Sequence, residues 1–348
     1  NSNNNLDVVR HEGRVFLAWR TAPDHFASDS TAMYVISSED EASWRLEARF
    51  TAGADLREPR FLVLGDSLFL YMARLGKDRG SFDPQGMSYA RRPAGGVFSE
   101  ARELYKPGYI PWRARSERGV PYLSTYVGGE HIYRFDNLPL SVELLTTDDG
   151  VSWRGVDPAM PEVSRGGGSE TDFVLTDSGD LLAVVRNEAG DDTGWGSKVC
   201  RADAGAITRW RCKSDPRKYD SPLMFYHDGE AYLIARRNVS ETGSYDLMMR
   251  QQNRTAETLA YQLDYRLRPK RCSLWRYDQA SDRVVYILDL PSRGDTCFPA
   301  LIKGQQDGEF ILYNYSSDID GPDVSWLDGQ SGPTYIYRHV LRLGRRGP

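Results

Sequence analysis

The segment DLREPRFLVLGDSLFLYMAR, residues 55–74, decides how the rest of the chain is read. It is two apolar runs joined by a Gly-Asp turn. Within it Phe69, Tyr71 and Ala73 alternate with Leu68, Leu70 and Met72, so both faces are apolar. A strand of that kind is buried between two neighbouring sheets. Looser copies begin at Leu6 (LDVVRHEGRVFLAWRT), Gly108 (GYIPWRARSERGVPYLSTY), Ser169 (SETDFVLTDSGDLLAVVRNE), Tyr219 (YDSPLMFYHDGEAYLIARRN) and Gly294 (GDTCFPALIKGQQDGEFILYNY). The starts lie roughly 50–75 residues apart, and hairpin units at such a period are how a β-propeller is written. Most units continue into a second hairpin, such as TAMYVISSEDEASWRLEARF at 31–50 and SVELLTTDDGVSWRGVD at 141–157. Four antiparallel strands per unit and six units predict an all-β, six-bladed propeller that takes up residues 1–348 as one domain.

Three insertions break the period, at residues 128–140, 240–271 and 318–332. The second holds QQNRTAETLAYQLDY, residues 251–265, which carries the only helical pattern in the chain. Ordered insertions on a propeller stand at a rim and shape a site. GGGS at 166–169 reads as a blade connection and not as a phosphate cradle, because no helix follows it.

Composition excludes several classes. A net charge of −5 argues against non-specific nucleic-acid binding. No apolar run approaches the about 18 residues of a membrane span. The chain opens NSNNNLD, with neither a signal peptide nor an initiator Met, so its start reads as processed or trimmed. Seven lysines stand against 37 arginines; arginine is the better fork for carboxylate, sulfate or phosphate. High-GC codon usage explains such a total equally well, so only the position of each Arg carries weight. The four cysteines permit three pairings. Cys200 and Cys212 flank a hairpin and are placed to bridge it; Cys272 and Cys297 then pair or stay free. No Cys/His spacing suggests zinc, and no motif calls for a cofactor. The chain reads as an exported monomer, secreted or periplasmic. The sequons at Asn238, Asn253 and Asn314 are too common a pattern to add to this.

TTDDGVSW, residues 146–153, fits Ser/Thr-x-Asp-x-Gly-x-Ser/Thr-Trp. As a hairpin turn it needs Asp148 to accept backbone N–H groups, Gly150 at positive φ and Trp153 packed between strands. SSEDEASW at 37–44 and DAGAITRW at 203–210 are degraded copies. The pattern resembles the Asp-box of the sialidase superfamily, whose boxes are structural and lie away from the catalytic face.

In a propeller the starts of the first strands and the ends of the second strands open on one face. The first-strand starts supply Asp55, Arg57, Glu58, Arg60, Arg113, Arg115, Glu170, Asp172, Asp220 and Asp295. The second-strand ends supply Arg20, Asp24, His25, Arg74, Tyr126, Arg186, Glu188, Arg236, Arg237, Tyr313 and Tyr315. Any one of them alone is an ordinary wet strand end; their coincidence in all six units is not. Several acids and arginines in one funnel suggest a glycosidase for an acidic sugar, since two carboxyl groups can divide acid and base work and arginines can hold a substrate carboxylate. A closed ring of salt bridges holding the blades together is the structural alternative.

The sialidase resemblance extends to these positions. Arg57-Glu58-Pro59 resembles the family's Arg-Ile-Pro, and Arg186 in LLAVVRNE is similar to a second family arginine. Arg236 or Arg237 stands for the third. The resemblance implies that three arginines grip a carboxylate, that a Tyr activated by a Glu attacks the anomeric carbon, and that an Asp on a loop is the acid/base. Glu170 or Glu188 stands for the Glu, and Asp24 or Asp55 for the acid. The family's Tyr position reads Cys297 or Phe298 here, with Tyr313 and Tyr315 on the next strand, and the Arg-Ile-Pro equivalent falls in the second unit instead of the first.

The expectation is an exo-acting hydrolase of a terminal acidic sugar on a glycan. Glu170, Asp220, Asp295, Glu58, Asp55, Tyr315 and His25 are the catalytic candidates. Arg57, Arg186, Arg236, Arg237, Arg20, Arg74 and Arg113 are the substrate-binding candidates. A neutral-sugar glycosidase of the arabinanase or fructosidase type, a uronic-acid lyase and a non-catalytic glycan-binding propeller are the alternatives.

Overall fold

The computed structural model describes residues 1–80, 82–134, 136–249 and 253–344. Six antiparallel sheets follow one another along the chain as the blades of a six-bladed β-propeller. The first blade is Ser2–His11, Arg14–Ala22, Ala32–Ser38 and Arg45–Phe50 (β1–β4). The second is Asp55–Leu64, Ser67–Leu75, Pro84–Arg92 and Arg102–Leu104 (β5–β8). The third is Ile110–Glu117, Val120–Val127, Leu140–Thr147 and an outer strand in two pieces, Trp153–Gly155 and Glu162–Gly166 (β9–β13). The fourth is Gly168–Leu175, Leu181–Asn187, Lys198–Ala202 and Arg211–Ser214 (β14–β17). The fifth is Asp220–His227, Glu230–Asn238, Lys270–Asp278 and Arg283–Leu290 (β18–β21). The sixth is Ala300–Lys303, Glu309–Ser316 and Tyr335–Arg342 (β22–β24). The repeat read from sequence therefore marks the blades.

Apolar side chains from facing blades make the core. Phe16, Met33 and Phe50 of the first blade meet Leu56, Leu68 and Leu70 of the second. Val174, Leu182 and Val199 of the fourth meet Met224, Leu233 and Trp275 of the fifth. A strand covered on both sides needs apolar residues on both faces, which is why residues 55–74 read as they do.

The ring closes without an exchanged strand. At the seam β1 packs against β22 and β23. Thr334 Oγ1 accepts the Asn3 N–H at 2.8 Å, and Glu41 takes both the Tyr313 hydroxyl at 2.7 Å and Arg338 at 2.9 Å. Disulfides join Cys200 to Cys212 across β16 and β17, and Cys272 to Cys297 between the fifth and sixth blades. Among the described residues no helix is long and apolar enough to cross a membrane.

All three insertions carry a helix: Glu130–Arg134 (α1), Arg254–Leu267 (α2) and Trp326–Ser331 (α3). The sequence pattern indicated only α2. The first two residues of that pattern, Gln251 and Gln252, lie outside the described residues, as does Phe135 of the first insertion. Asn253 caps α2 by accepting the Thr255 and Ala256 N–H groups. Tyr261 and Tyr265, one turn apart, pack the helix onto Trp195 and Tyr245. Asn238 and Asn314, from two of the sequons, are buried.

The hairpin at 146–153 forms as expected, with one correction. Asp149, not Asp148, accepts the Val151 and Ser152 N–H groups, at 2.7 and 2.6 Å. Those amides hold its carboxyl well below the usual range. Asp148 instead meets Arg154 at 2.8 Å. Residues 37–44 build the same turn: Asp40 accepts from Ala42 and Ser43, and Glu41 takes φ 58° where Gly150 takes 76°. At 203–210 the acid, Asp203, binds Arg211 instead. Trp153 packs edge-on against Tyr71. A Cβ on Gly150 would stand 2.6 Å from the Phe69 ring, whereas one on Gly65, also at positive φ, meets nothing within 4 Å. Gly150→Ala should therefore cost about 1–3 kcal/mol of stability and Gly65→Ala visibly less, read from urea midpoints. Equal losses would refute the steric part of this account.

Candidate active site

The inner strands break register just where they reach one face of the ring. Five of them carry one extra residue against their partner, between Asn4 and Leu6, Arg57 and Arg60, Pro111 and Arg113, Gly168 and Thr171, and Asp220 and Leu223. Such a bulge turns a side chain out of the strand's alternation. Asn5, Glu58 and Ser221 sit in three of these bulges at φ 45°, 51° and 50°, a conformation costly for residues other than glycine. They line one cavity of about 340 Å³ at the mouth of the ring, together with Glu170 from the fourth bulge. The insertions wall it: Tyr133 of α1, Gln262, Tyr265 and Arg266 of α2, and Trp326 of α3.

Arg186, at the end of β15, organises one side. Its Nη1 donates to Glu170 at 2.5 Å, its Nη2 to Glu188, and its Nε faces Asp220 at 2.8 Å. Asp220 is fully buried behind the wall and also receives the Tyr265 hydroxyl and Arg236 at 3.4 Å. Burial would raise the Asp220 carboxyl, but Arg186, Lys218 and Arg236 pull it below the ordinary range. Glu170 goes the other way. Burial, reinforced by the charge of Asp220, outweighs Arg186 and lifts it to about 7. Two carboxyl groups on one guanidinium thus hold different protonation states near neutrality.

Glu58 faces the same space. Its Oε2 is buried without a hydrogen-bond partner, 4.0 Å from Arg60, and burial raises its pKa. Asn5 Oδ1 and Ser169 Oγ are likewise buried, unpaired and in the cavity wall. Lys218, wedged between the Tyr245 and Tyr265 rings, lies 3.7 Å from Glu188, and burial lowers its pKa.

A second cluster gathers on Asp295. It binds His25 Nδ1 at 2.7 Å, the Tyr315 hydroxyl at 3.0 Å and Trp326 Nε1 at 3.1 Å. Burial lowers the His25 pKa against the pull of Asp295. His25 and Tyr315 reach the cavity, while Asp295 stands behind them. Asp55 is also behind the wall, shared by Arg20 at 2.7 Å and Arg57 at 2.5 Å.

Of the arginines expected to bind substrate, Arg57, Arg186 and Arg236 line the cavity; protein groups meet every guanidinium nitrogen of Arg186 and Arg236, and Nε and Nη2 of Arg57. Arg237 points out of the ring to Asp289, and Arg74 reaches Glu103 at the surface. Arg20 is enclosed, and Arg113 lies deeper along the axis, between Asp172 and Asp7. Sequence reasoning missed Asn5, Tyr133, Lys218, Gln262, Tyr265, Arg266 and Trp326. The Tyr261/Tyr265 spacing in the helical insertion was the one signal available. Among the described residues no group of three His, Cys, Asp or Glu side chains is arranged to hold a metal ion.

No protein-family model matches the chain, and no curated protein sequence does. Solved structures do. A Dyadobacter fermentans protein of unknown function superposes with a TM-score of 0.66 at 14% identity, over 99% of this chain and 95% of that one. Trypanosoma rangeli sialidase in complex with sialic acid gives 0.61 at 12% identity over 98% of this chain. The chain spans 54% of that sialidase's length. At these identities the likeness is one of fold: a six-bladed propeller of the sialidase kind.

Proposed function

We propose that this protein is an exo-acting glycoside hydrolase that removes a single terminal acidic sugar from a glycan. The observation that carries the reading is the split pair: Glu170, raised to about 7, sharing Arg186 with an ionised Asp220. A carboxylic acid that keeps its proton at neutral pH is what a glycosidic oxygen needs from its general acid. Glu58, on the inner strand of the second blade and across the cavity from the fourth, is the second carboxylate. In this scheme Glu170 gives its proton to the leaving oxygen as the C–O bond breaks, and water attacks the anomeric carbon while passing its proton to Glu58. Asn5, Ser169 and the aromatic side chains of the wall supply sugar hydroxyl and ring contacts. Of the six cations that line the cavity, Arg57, Arg79, Arg186, Lys218 and Arg236 each have a carboxylate partner and Arg266 has none among the described residues, which favours an anionic sugar. The two disulfides favour a secreted or periplasmic protein.

The test is release of fluorophore from glycosides of sialic acid, its deaminated analogue, glucuronic acid, galacturonic acid and arabinofuranose. One acidic member should be turned over, and Glu58→Gln should lower that rate about 100-fold or more. Silence on every acidic member would reject the proposal, and retained glycan binding would then identify a lectin-like propeller.

A further inference from the structure

The cavity's arginines are not equivalent. Arg57 is held by Asp55 and the His25 carbonyl, Arg186 by three carboxylates, and Arg236 by Asp220, the Tyr265 hydroxyl and the Thr296 carbonyl. Every guanidinium nitrogen of Arg186 and Arg236 meets a protein group, and Arg57 is held through two of its three. Arg266 differs. It stands in the last turn of α2, half-buried on the cavity wall, and has no hydrogen bond or ion pair among the described residues. One turn earlier on the same helix face is Gln262, also in the wall, whose Nε2 is buried with no acceptor. Tyr133, contributed by α1, lines the same space and lies within the field of Arg266.

A planar cationic fork, an amide N–H and a phenol thus share one cavity, and neither the fork nor the amide has an acceptor among the described residues. Burying donors without acceptors is unfavourable unless a ligand or water completes them. The arrangement suits a group with two or three acceptor oxygens and a negative charge. We infer that Arg266, with Gln262 and Tyr133, receives the anionic group of the substrate, a carboxylate or a sulfate. This rests on the hydrolase reading above and gives specificity to the helical insertion instead of the blade arginines. An arginine in the last turn also complements the helix dipole, but that role does not explain an unpaired Gln262 in the same wall.

The test is binding of free monosaccharides, which needs no turnover, to the full chain by isothermal titration. The ligands are N-acetylneuraminic acid, glucuronic acid, a glucose sulfate and glucose. The best acidic ligand should bind at least tenfold more weakly to Arg266→Gln, glucose should change less than twofold, and Arg266→Lys should recover part of the loss. Melting temperatures should agree across the three proteins, which a merely structural arginine would not ensure. Whether the uronic and sialic acids or the sulfate bind more tightly identifies the anion. Undiminished acidic binding in Arg266→Gln overturns the inference, as does an acidic ligand that binds no better than glucose. A silent glycoside panel with Arg266-dependent binding intact removes the hydrolase reading alone. Turnover with an unchanged KM in Arg266→Gln removes this inference alone.

Discussion

Glu170→Gln should abolish most turnover, lowering kcat/KM about 10²–10⁴-fold, the range for loss of a positioned general acid. The loss should shrink for glycosides with better leaving groups, which need less protonation. Wild-type activity should fall as pH rises through about 7, where Glu170 gives up its proton, and the variant should lack that limb. The same shift has a stability counterpart. The folded pKa of Glu170 lies above its ordinary value of 4.5, so the native state holds a proton that the unfolded chain has released. This contribution is fully present below about 4.5 and is lost as pH rises toward 7, with a slope of at most about 1.4 kcal/mol per pH unit. Glu170→Gln carries no such dependence. Its stability relative to wild type should therefore rise between pH 5 and pH 8, as measured by urea titration at both values. A difference that stays flat would show that Glu170 is not held protonated.

Arg186→Ala should produce the largest loss of stability, about 3–5 kcal/mol, the usual cost of stripping the partner from a buried charge. The guanidinium separates Glu170, Glu188 and Asp220, and all three are buried. Without it, two or three carboxylates share one desolvated space with Lys218 and Arg236 as the remaining cations. The urea midpoint should fall at unchanged m value, and fall further at pH 8 than at pH 5, where the acids can take up protons. Arg186→Lys should rescue little, because an ammonium cannot reach three acceptors in fixed directions. A loss under about 1 kcal/mol would mean that the acids relax apart.

The blades were legible because their cause is local. Burial on both faces writes itself into residues 55–74, and the repeat carries that reading round the ring. Glu58, Glu170 and Arg186 were legible as mouth residues for the same reason. Their partners were not, since pairing depends on distances between blades. Arg236 and Arg237 show the limit: successive residues of a strand face opposite ways, and sequence left both open. In the structure Arg236 turns inward and Arg237 outward to Asp289. The extra residues at Asn5, Glu58 and Ser221 displace the alternation, and nothing in those residue types announces a bulge. Tyr265, Gln262, Arg266 and Trp326 come from insertions, which have no repeat to fix their register. Asp148 and Asp149 are neighbours of one type, and only the amide directions distinguish them.

The seam between the first and last blades has a kinetic consequence. Each blade is a run of neighbouring hairpins, so five of the six inter-blade junctions join segments adjacent in sequence. The sixth relies on pairs such as Asn3 with Thr334 and Glu41 with Arg338, whose sequence separations are 331 and 297. Loop-closure entropy sets this junction apart, because its contacts repay nothing until the whole circuit has been traversed. The ring should assemble as a growing arc that latches last at β1 and β22, and in native-state hydrogen exchange the same latch should be the first to open.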